Sequence, residues 1–295
     1  MSLKFTVGAD PEYFLKKNGV NVSAHGLVKG TKKKPMLLEG GAVQVDGTAL
    51  EFNIDPAENE EQFLQHIDMV LAQIRDLIPE EYEFVFDPVA EYDPNYFKNL
   101  PFAARELGCD PDYNAYSGLR NPVPDNEETF RTSSGHIHLG FERAEDDADH
   151  FLDCQAIIKA CDYFIGLPLT LIEPISKRQK LYGKAGAFRP KPYGVEYRSP
   201  SSFWVKSPTL QRFVFQQVKR MENFFNFPES TPEELYFGQN TNGKRWHDRY
   251  GPHHNPQRHK DLEYEWGTIK VPTDVKGWVR DLLPAYEAEV ANAVR

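Results

Sequence analysis

The sequence predicts an α+β fold: a curved, mainly antiparallel sheet with a polar, acidic concave face and helices packed on its other face. Three observations carry this. Short segments alternate apolar and polar residues at the period of a strand, and longer ones repeat apolar residues at helical spacing. Four strand segments also place polar side chains two apart: Asp10/Glu12, Glu51/Asn53, His136/His138 and Glu196/Arg198. Residues two apart on a strand share a face, so one face of the sheet collects these groups while the other collects the apolar residues between them.

In chain order, residues 3–8 read as a strand running into Gly8-Ala-Asp-Pro-Glu12, where Pro11 is expected near a strand end or on an edge. Residues 18–35 read as a polar hairpin turning at Asn18-Gly19, and Lys32-Lys33-Lys34 as a solvated loop. Asp46-Gly47 marks a turn into the strand Leu50–Ile54. Residues 58–78 form an amphipathic helix stopped by Pro79, followed by a strand at 82–86. The irregular segment 87–130 is rich in proline, aspartate and tyrosine and reads as an ordered loop wall around a site.

Next comes Gly135-His-Ile-His-Leu-Gly140, with both imidazoles on one face and Ile137 and Leu139 on the other. Alone, this pair fits either hydrogen-bonded sheet histidines or ligands. Residues 145–166 form a second helix, 176–193 a flexible, basic, glycine-rich loop, and 194–204 a strand with Glu196 and Arg198. Ser207-Pro208 caps a helix to about Phe225. Residues 228–272 are irregular, and their histidines within 245–260 read as a surface loop. A final helix spans 274–293, with Pro284 expected to kink or divide it.

The 295 residues carry a net charge of −10 with dispersed basic residues, which argues against a nucleic-acid partner. No run is read as approaching the roughly 18 apolar residues of a membrane span, and no signal-peptide core is read at the start. Three cysteines without a zinc spacing suggest a reducing, cytoplasmic setting. A single domain over 1–295 is expected.

Crowded carboxylates repel one another unless cations neutralise them. Hard divalent cations take oxygen ligands and bridge to phosphates. With Arg189, Arg198 and Lys180 added, the set suits stabilisation of a transferring phosphoryl group.

In their order, Asp10-Pro-Glu12, Glu51, Gly135-His136-Ile-His138 and Glu196-Tyr-Arg198 resemble the glutamine synthetase-like carboxylate–amine ligases, which include glutamate–cysteine ligases. Gly-Ala-Asp-Pro-Glu, Gly-Cys-Asp-Pro-Asp-Tyr-Asn-Ala and Gly-His-Ile-His-Leu-Gly resemble the phage-associated COOH–NH2 ligase group most closely. The resemblance spans about 5–205, leaving 206–295 as a loop-plus-helix extension. It implies ATP-dependent amide or peptide bond formation through an acyl phosphate, with Mg²⁺ or Mn²⁺, a carboxylate substrate and an amine acceptor (amino acid, peptide or protein side chain). Homo-oligomers with shared sites occur in the superfamily.

Carried over by motif, Asp10 and Glu12 would serve one metal cluster each. Glu51 would join Glu12, while His136 and Glu196 would join Asp10. His138 would contact nucleotide phosphate or substrate. Arg198 and Arg189 would hold the transferring phosphoryl group, with Arg178 and Lys180 as further cofactor contacts. Asp10 departs from the family's glutamate, and Asn53 is not an acid, a gap Asp46 could fill. The competing readings are a carboxylate or guanidino kinase on the same fold, a nucleotide-independent metal hydrolase, and a binding protein without turnover.

Overall fold

The computed structural model describes residues 3–105, 112–122, 129–142, 146–173, 176–227 and 271–293. The first half holds β1 (Thr6–Lys17), β2 (Val20–Val22), β3 (Met36–Leu38), β4 (Gly41–Asp46), β5 (Ala49–Ile54), α1 (Glu60–Leu77), β6 (Tyr82–Val85), β7 (Val89–Glu91), α2 (Pro94–Lys98), α3 (Phe102–Arg105) and β8 (Tyr113–Asn114). Then come β9 (Phe130–Thr132), β10 (Gly135–Gly140), α4 (Asp147–Cys161), a π-helical turn (Asp162–Gly166) and α5 (Leu167–Ile172). The rest is α6 (Lys177–Leu181), β11 (Ala187–Lys191), β12 (Gly194–Tyr197), a 3-10 turn (Ser202–Lys206), α7 (Pro208–Asn226) and α8 (Thr273–Ala293).

Ten strands form one sheet. Its path runs β3-β4-β5-β1-β10-β12-β11-β8, with β2 and β6 paired to the far end of β1. The pairings between its strands are antiparallel. Register decides what each face carries, because cross-strand partners share a face. Gln44 lies opposite Glu51, Glu51 opposite Glu12, Asp10 opposite His136, His138 opposite Glu196, and Glu196 opposite Arg189. The residues between them pair among themselves: Val43 with Phe52, Tyr13 with Leu50, Val7 with Leu139, and Ile137 with Tyr197. The sheet therefore has one polar and one apolar face. On the apolar side α1 packs over β4 and β5, and α4 packs over β11 and β12.

Local chemistry explains the elements. Asn59 caps α1 by accepting from Gln62 N, with Glu60 and Glu61 favourably placed in the first turn. Asn18 and Gly19 both take positive φ, 53° and 77°, as a two-residue turn between β1 and β2 requires. The first strand is longer than expected and passes through Pro11. Pro11 closes the ladder with β10, opposite Gly135, and Glu12 opens the ladder with β5. The missing N–H therefore falls where β1 changes partner, and an interior proline is tolerated.

The basic stretch 176–193 is not a loop throughout, which corrects the expectation. Ser176 and Gln179 form a capping box that starts α6, and Ala187–Lys191 is strand β11, paired with β12. Prolines and glycines masked the alternation of buried Phe188 with Arg189 and Lys191.

Residues beyond 206 build the same core. Leu210, Val214 and Met221 of α7, and Val275 and Leu282 of α8, belong to the main apolar cluster. Pro284 lies inside α8 without dividing it. The continuous stretch Asp147–Ile172 is long and apolar enough to cross a membrane by length and composition, against the sequence expectation, but 83% of its most apolar window is buried inside the protein. Where that stretch widens into the π-turn, buried Asp162 accepts from Tyr197 Oη at 2.7 Å and Tyr116 Oη at 2.9 Å. Segment 87–130 carries β7, α2, α3 and β8, while Cys109 and the histidine loop 245–260 lie outside the described residues.

Candidate active site

Two groups of potential ligands lie side by side on the polar face. Asp10 of β1, His136 of β10 and Glu196 of β12 present ligand atoms within 4.8 Å of one another. Asp10 and His136 are paired across β1 and β10, and Glu196, opposite His138 on β12, reaches them diagonally on the same face. His136 Nδ1 stands 3.2 Å from Asp10 Oδ1 and 3.5 Å from Glu196 Oε1. Gly135 lets β10 begin close to the segment after β12: a Cβ there would meet Ser201 O at 2.3 Å and Trp204 Nε1 at 2.5 Å. Trp204 Nε1 donates to Gly135 O at 3.0 Å.

The second group is Glu12, Asp46 and Glu51, again with ligand atoms within 4.8 Å. Gln44 Nε2 donates to Glu51 Oε2 at 2.8 Å, and Ser134 N donates to Glu12 Oε2 at 2.8 Å. Lys32 Nζ lies 2.7 Å from Asp46 Oδ2.

Cations flank the first group. Arg198 Nη1 pairs with Glu196 Oε1, and Arg198 Nε reaches Asp112 Oδ2 at 3.2 Å. Lys191 Nζ is 2.7 Å from Glu196 Oε2, and Arg189 Nη1 is 3.7 Å from Glu196 Oε1. His138 Nε2 stands 3.0 Å from Asp10 Oδ1, and its Nδ1 bonds Tyr193 Oη.

The two groups differ in charge balance. Burial works to raise the Asp10 carboxyl, but the His138 and His136 imidazoles outweigh it and hold it well below the ordinary range. Burial likewise opposes ionisation of Glu196, yet the Arg198 guanidinium prevails and holds it at about 2. Burial, then Arg198, pushes His136 down to about 4, so it is a neutral imidazole, the form that ligates metals. At the second group nothing prevails over burial. Glu12 is pushed up to about 8 by burial and Asp46, and Glu51 is raised well above its usual range by burial, Asp10, Glu12 and Asp46.

Of the residues expected at a site, Asp10, Glu12, Glu51, His136, His138, Arg189, Glu196 and Arg198 converge here, with Asp46 beside them. Arg178 does not present itself to a cofactor, which corrects the expectation for it. It is fully buried and donates to Ser199 O, Arg198 O and Ser134 Oγ. It braces the backbone behind Arg198 and Glu12. Lys180 lies on α6, and its side chain is outside the described residues.

Four neighbours were missed. Gln44 stands two before Asp46, so the same two-apart rule could have found it. Asp112 lies inside the quoted Gly-Cys-Asp-Pro-Asp-Tyr-Asn-Ala motif. Lys32 and Tyr193 carry no local signal, since only the fold brings them to the face.

Residues 129–227 match the family described as Phage phiEco32-like COOH.NH2 ligase-type 2. The resemblance to the COOH–NH2 ligases holds over this segment. The matched COOH–NH2 ligase stretch carries His136, His138, Arg189, Glu196 and Arg198 and runs through α7, beyond residue 205, where the motifs were expected to end. Asp10, Glu12 and Glu51 lie before it. A bifunctional glutathione synthetase from Pasteurella multocida is a structural neighbour at 11% identity and TM-score 0.46, covering 96% of this chain and 44% of that one. The chain thus spans less than half the length of that protein. No curated protein matches the sequence.

Proposed function

We propose that this chain is an ATP- and divalent-metal-dependent carboxylate–amine ligase that forms an amide or peptide bond through an acyl phosphate. The reading includes a single glutamine synthetase-like catalytic unit with a curved sheet, working in a reducing, cytoplasmic setting. One observation carries it: two donor groups adjoin on one polar sheet face, with the guanidiniums of Arg198 and Arg189 beside the first.

The donor chemistry fits the cations. The second group offers only carboxylates, as Mg²⁺ prefers. Its raised Glu12 and Glu51 report an unbalanced negative charge that a dication would relieve. The first group adds one neutral imidazole, which Mn²⁺ accepts well. Asp10, His136 and Glu196 would hold one cation, and Glu12, Asp46 and Glu51 the other. Bound there, ATP and its cations would supply the γ-phosphoryl group and screen its charge.

The substrate carboxylate would attack that phosphoryl group, giving an acyl phosphate and ADP. The amine would then displace inorganic phosphate and lose a proton. Arg198, fixed by Glu196 and Asp112, and Arg189 would offer planar donors to the transferring phosphoryl oxygens. His138, held between Asp10 and Tyr193, would contact a phosphate or substrate oxygen.

The test is ADP release by purified protein with Mg-ATP and pooled acids and amines. Release that needs both partners supports ligation. Phosphorylated acid accumulating without amine would mean a kinase instead. Hydrolysis of amides without nucleotide, unaffected by Arg198→Ala, would sink both.

A further inference from the structure

Lys32 reads in the sequence as part of a solvated run, yet the fold places it over the all-carboxylate group. The backbone fixes its position. Thr31 N donates to Lys34 O at 3.0 Å and Lys34 N to Thr31 O at 2.9 Å, closing the turn on itself. Thr31 bridges to Val45, and Val45 N donates to Gly30 O at 3.0 Å. Gly30 lies so close to β4 that a Cβ would meet Val43 O at 2.0 Å. The turn is therefore fastened to the strand that carries Asp46. All three lysines are exposed, Lys32 by 42% of its side chain, and Lys32 Nζ sits 2.7 Å from Asp46 Oδ2.

We infer that Lys32 is a built-in counter-ion of the Glu12–Asp46–Glu51 group, and that a divalent cation must displace its ammonium from Asp46 to enter. This rests on the metal reading of that group. The ammonium sits on Asp46, whose ligand atom lies within 4.8 Å of those of Glu12 and Glu51. A tethered monocation at this position lowers the site's affinity for a free dication. It also offsets part of the group's negative charge when no metal is present. The Asp10–His136–Glu196 group has its own cations, for Arg198, Lys191 and Arg189 all reach Glu196.

The experiment is titration of Mn²⁺ alone into the full chain, by calorimetry and by the free-Mn²⁺ electron-spin signal, without nucleotide. Lys32→Ala and Lys32→Met should both tighten Mn²⁺ binding at the Glu12–Asp46–Glu51 group roughly fivefold, the scale of a partly exposed ion pair. Lys32→Arg, which keeps the charge, should stay within about twofold of the parent. In a Glu51→Gln background, removing Lys32 should change nothing. Unchanged or weaker Mn²⁺ binding in Lys32→Ala overturns the proposal. So does an equal gain in the Glu51→Gln background. No Mn²⁺ binding by any protein would remove the metal reading and this proposal together. ADP release, measured separately, decides the ligase reading.

Discussion

Glu196→Gln tests the charge balance of the site most directly. The substitution keeps shape and removes one negative charge from a side chain that is 1% exposed. The carboxylate faces Arg198, Lys191 at 2.7 Å, His136 at 3.5 Å and Arg189 at 3.7 Å. Holding this carboxyl at about 2 rather than 4.5 stabilises the folded state by about 3 kcal/mol at neutral pH. The sign follows from a depressed folded value. The contribution is complete above 4.5 and is lost as pH falls through about 2. Urea unfolding of parent and variant, in a chelator to exclude metal, should differ by about 3 kcal/mol near neutrality. The gap should narrow steadily below about pH 4.5. A gap under about 1 kcal/mol near neutrality, or one that does not narrow in acid, would refute the argument.

Three further outcomes are expected. Gly135→Ala pushes a methyl against Ser201 O and Trp204 Nε1, and should cost about 2–3 kcal/mol of stability, read from the urea midpoint. Mn²⁺ affinity at the second group should rise as pH climbs toward and through about 8, because Glu12 must release its proton first; calorimetry in buffers of different ionisation enthalpy should show that proton leaving. The same raised carboxyl makes the metal-free protein lose this contribution as pH rises from 4.5 through about 8, so Mn²⁺ should raise the melting temperature more in alkaline than in neutral buffer. Arg198→Lys keeps the charge but loses the planar fork, and should reduce ADP release by about a hundredfold while the far-ultraviolet dichroism stays unchanged.

The polar face was legible because period two is a property of the strand itself. Glu51 and Glu196 announce their face from their apolar neighbours alone. The helices were legible for the same reason: Phe63, Ile67, Val70 and Ile74 mark one side of α1. What escaped was set by distant chain. Arg178 looked like a phosphate contact because its stretch is basic, but only the packing of α6 behind Ser199 makes it a buried brace. Lys32 is exposed as read, but nothing in its triplet reveals that Gly30 fastens its turn to β4 beside Asp46. Pro11 argued against a central strand, since a change of pairing partner cannot be read from one segment. The strand Ala187–Lys191 was hidden by prolines at 190 and 192, one of which β11 tolerates internally.

The buried Asp162 carboxylate has a consequence for the site on the far side of the sheet. Tyr197, which it holds, sits between Glu196 and Arg198 in the chain and points to the opposite face. Sliding β12 by one residue would carry Tyr197 away from Asp162 and leave Oδ1 of an acid in the apolar layer without its tyrosine, Tyr116 still donating to Oδ2. The same slip would turn Glu196 and Arg198 into the core. A polar clasp beneath the sheet thus acts as an index pin for the chemistry above it, fixing which residues of β12 face substrate before any ligand arrives.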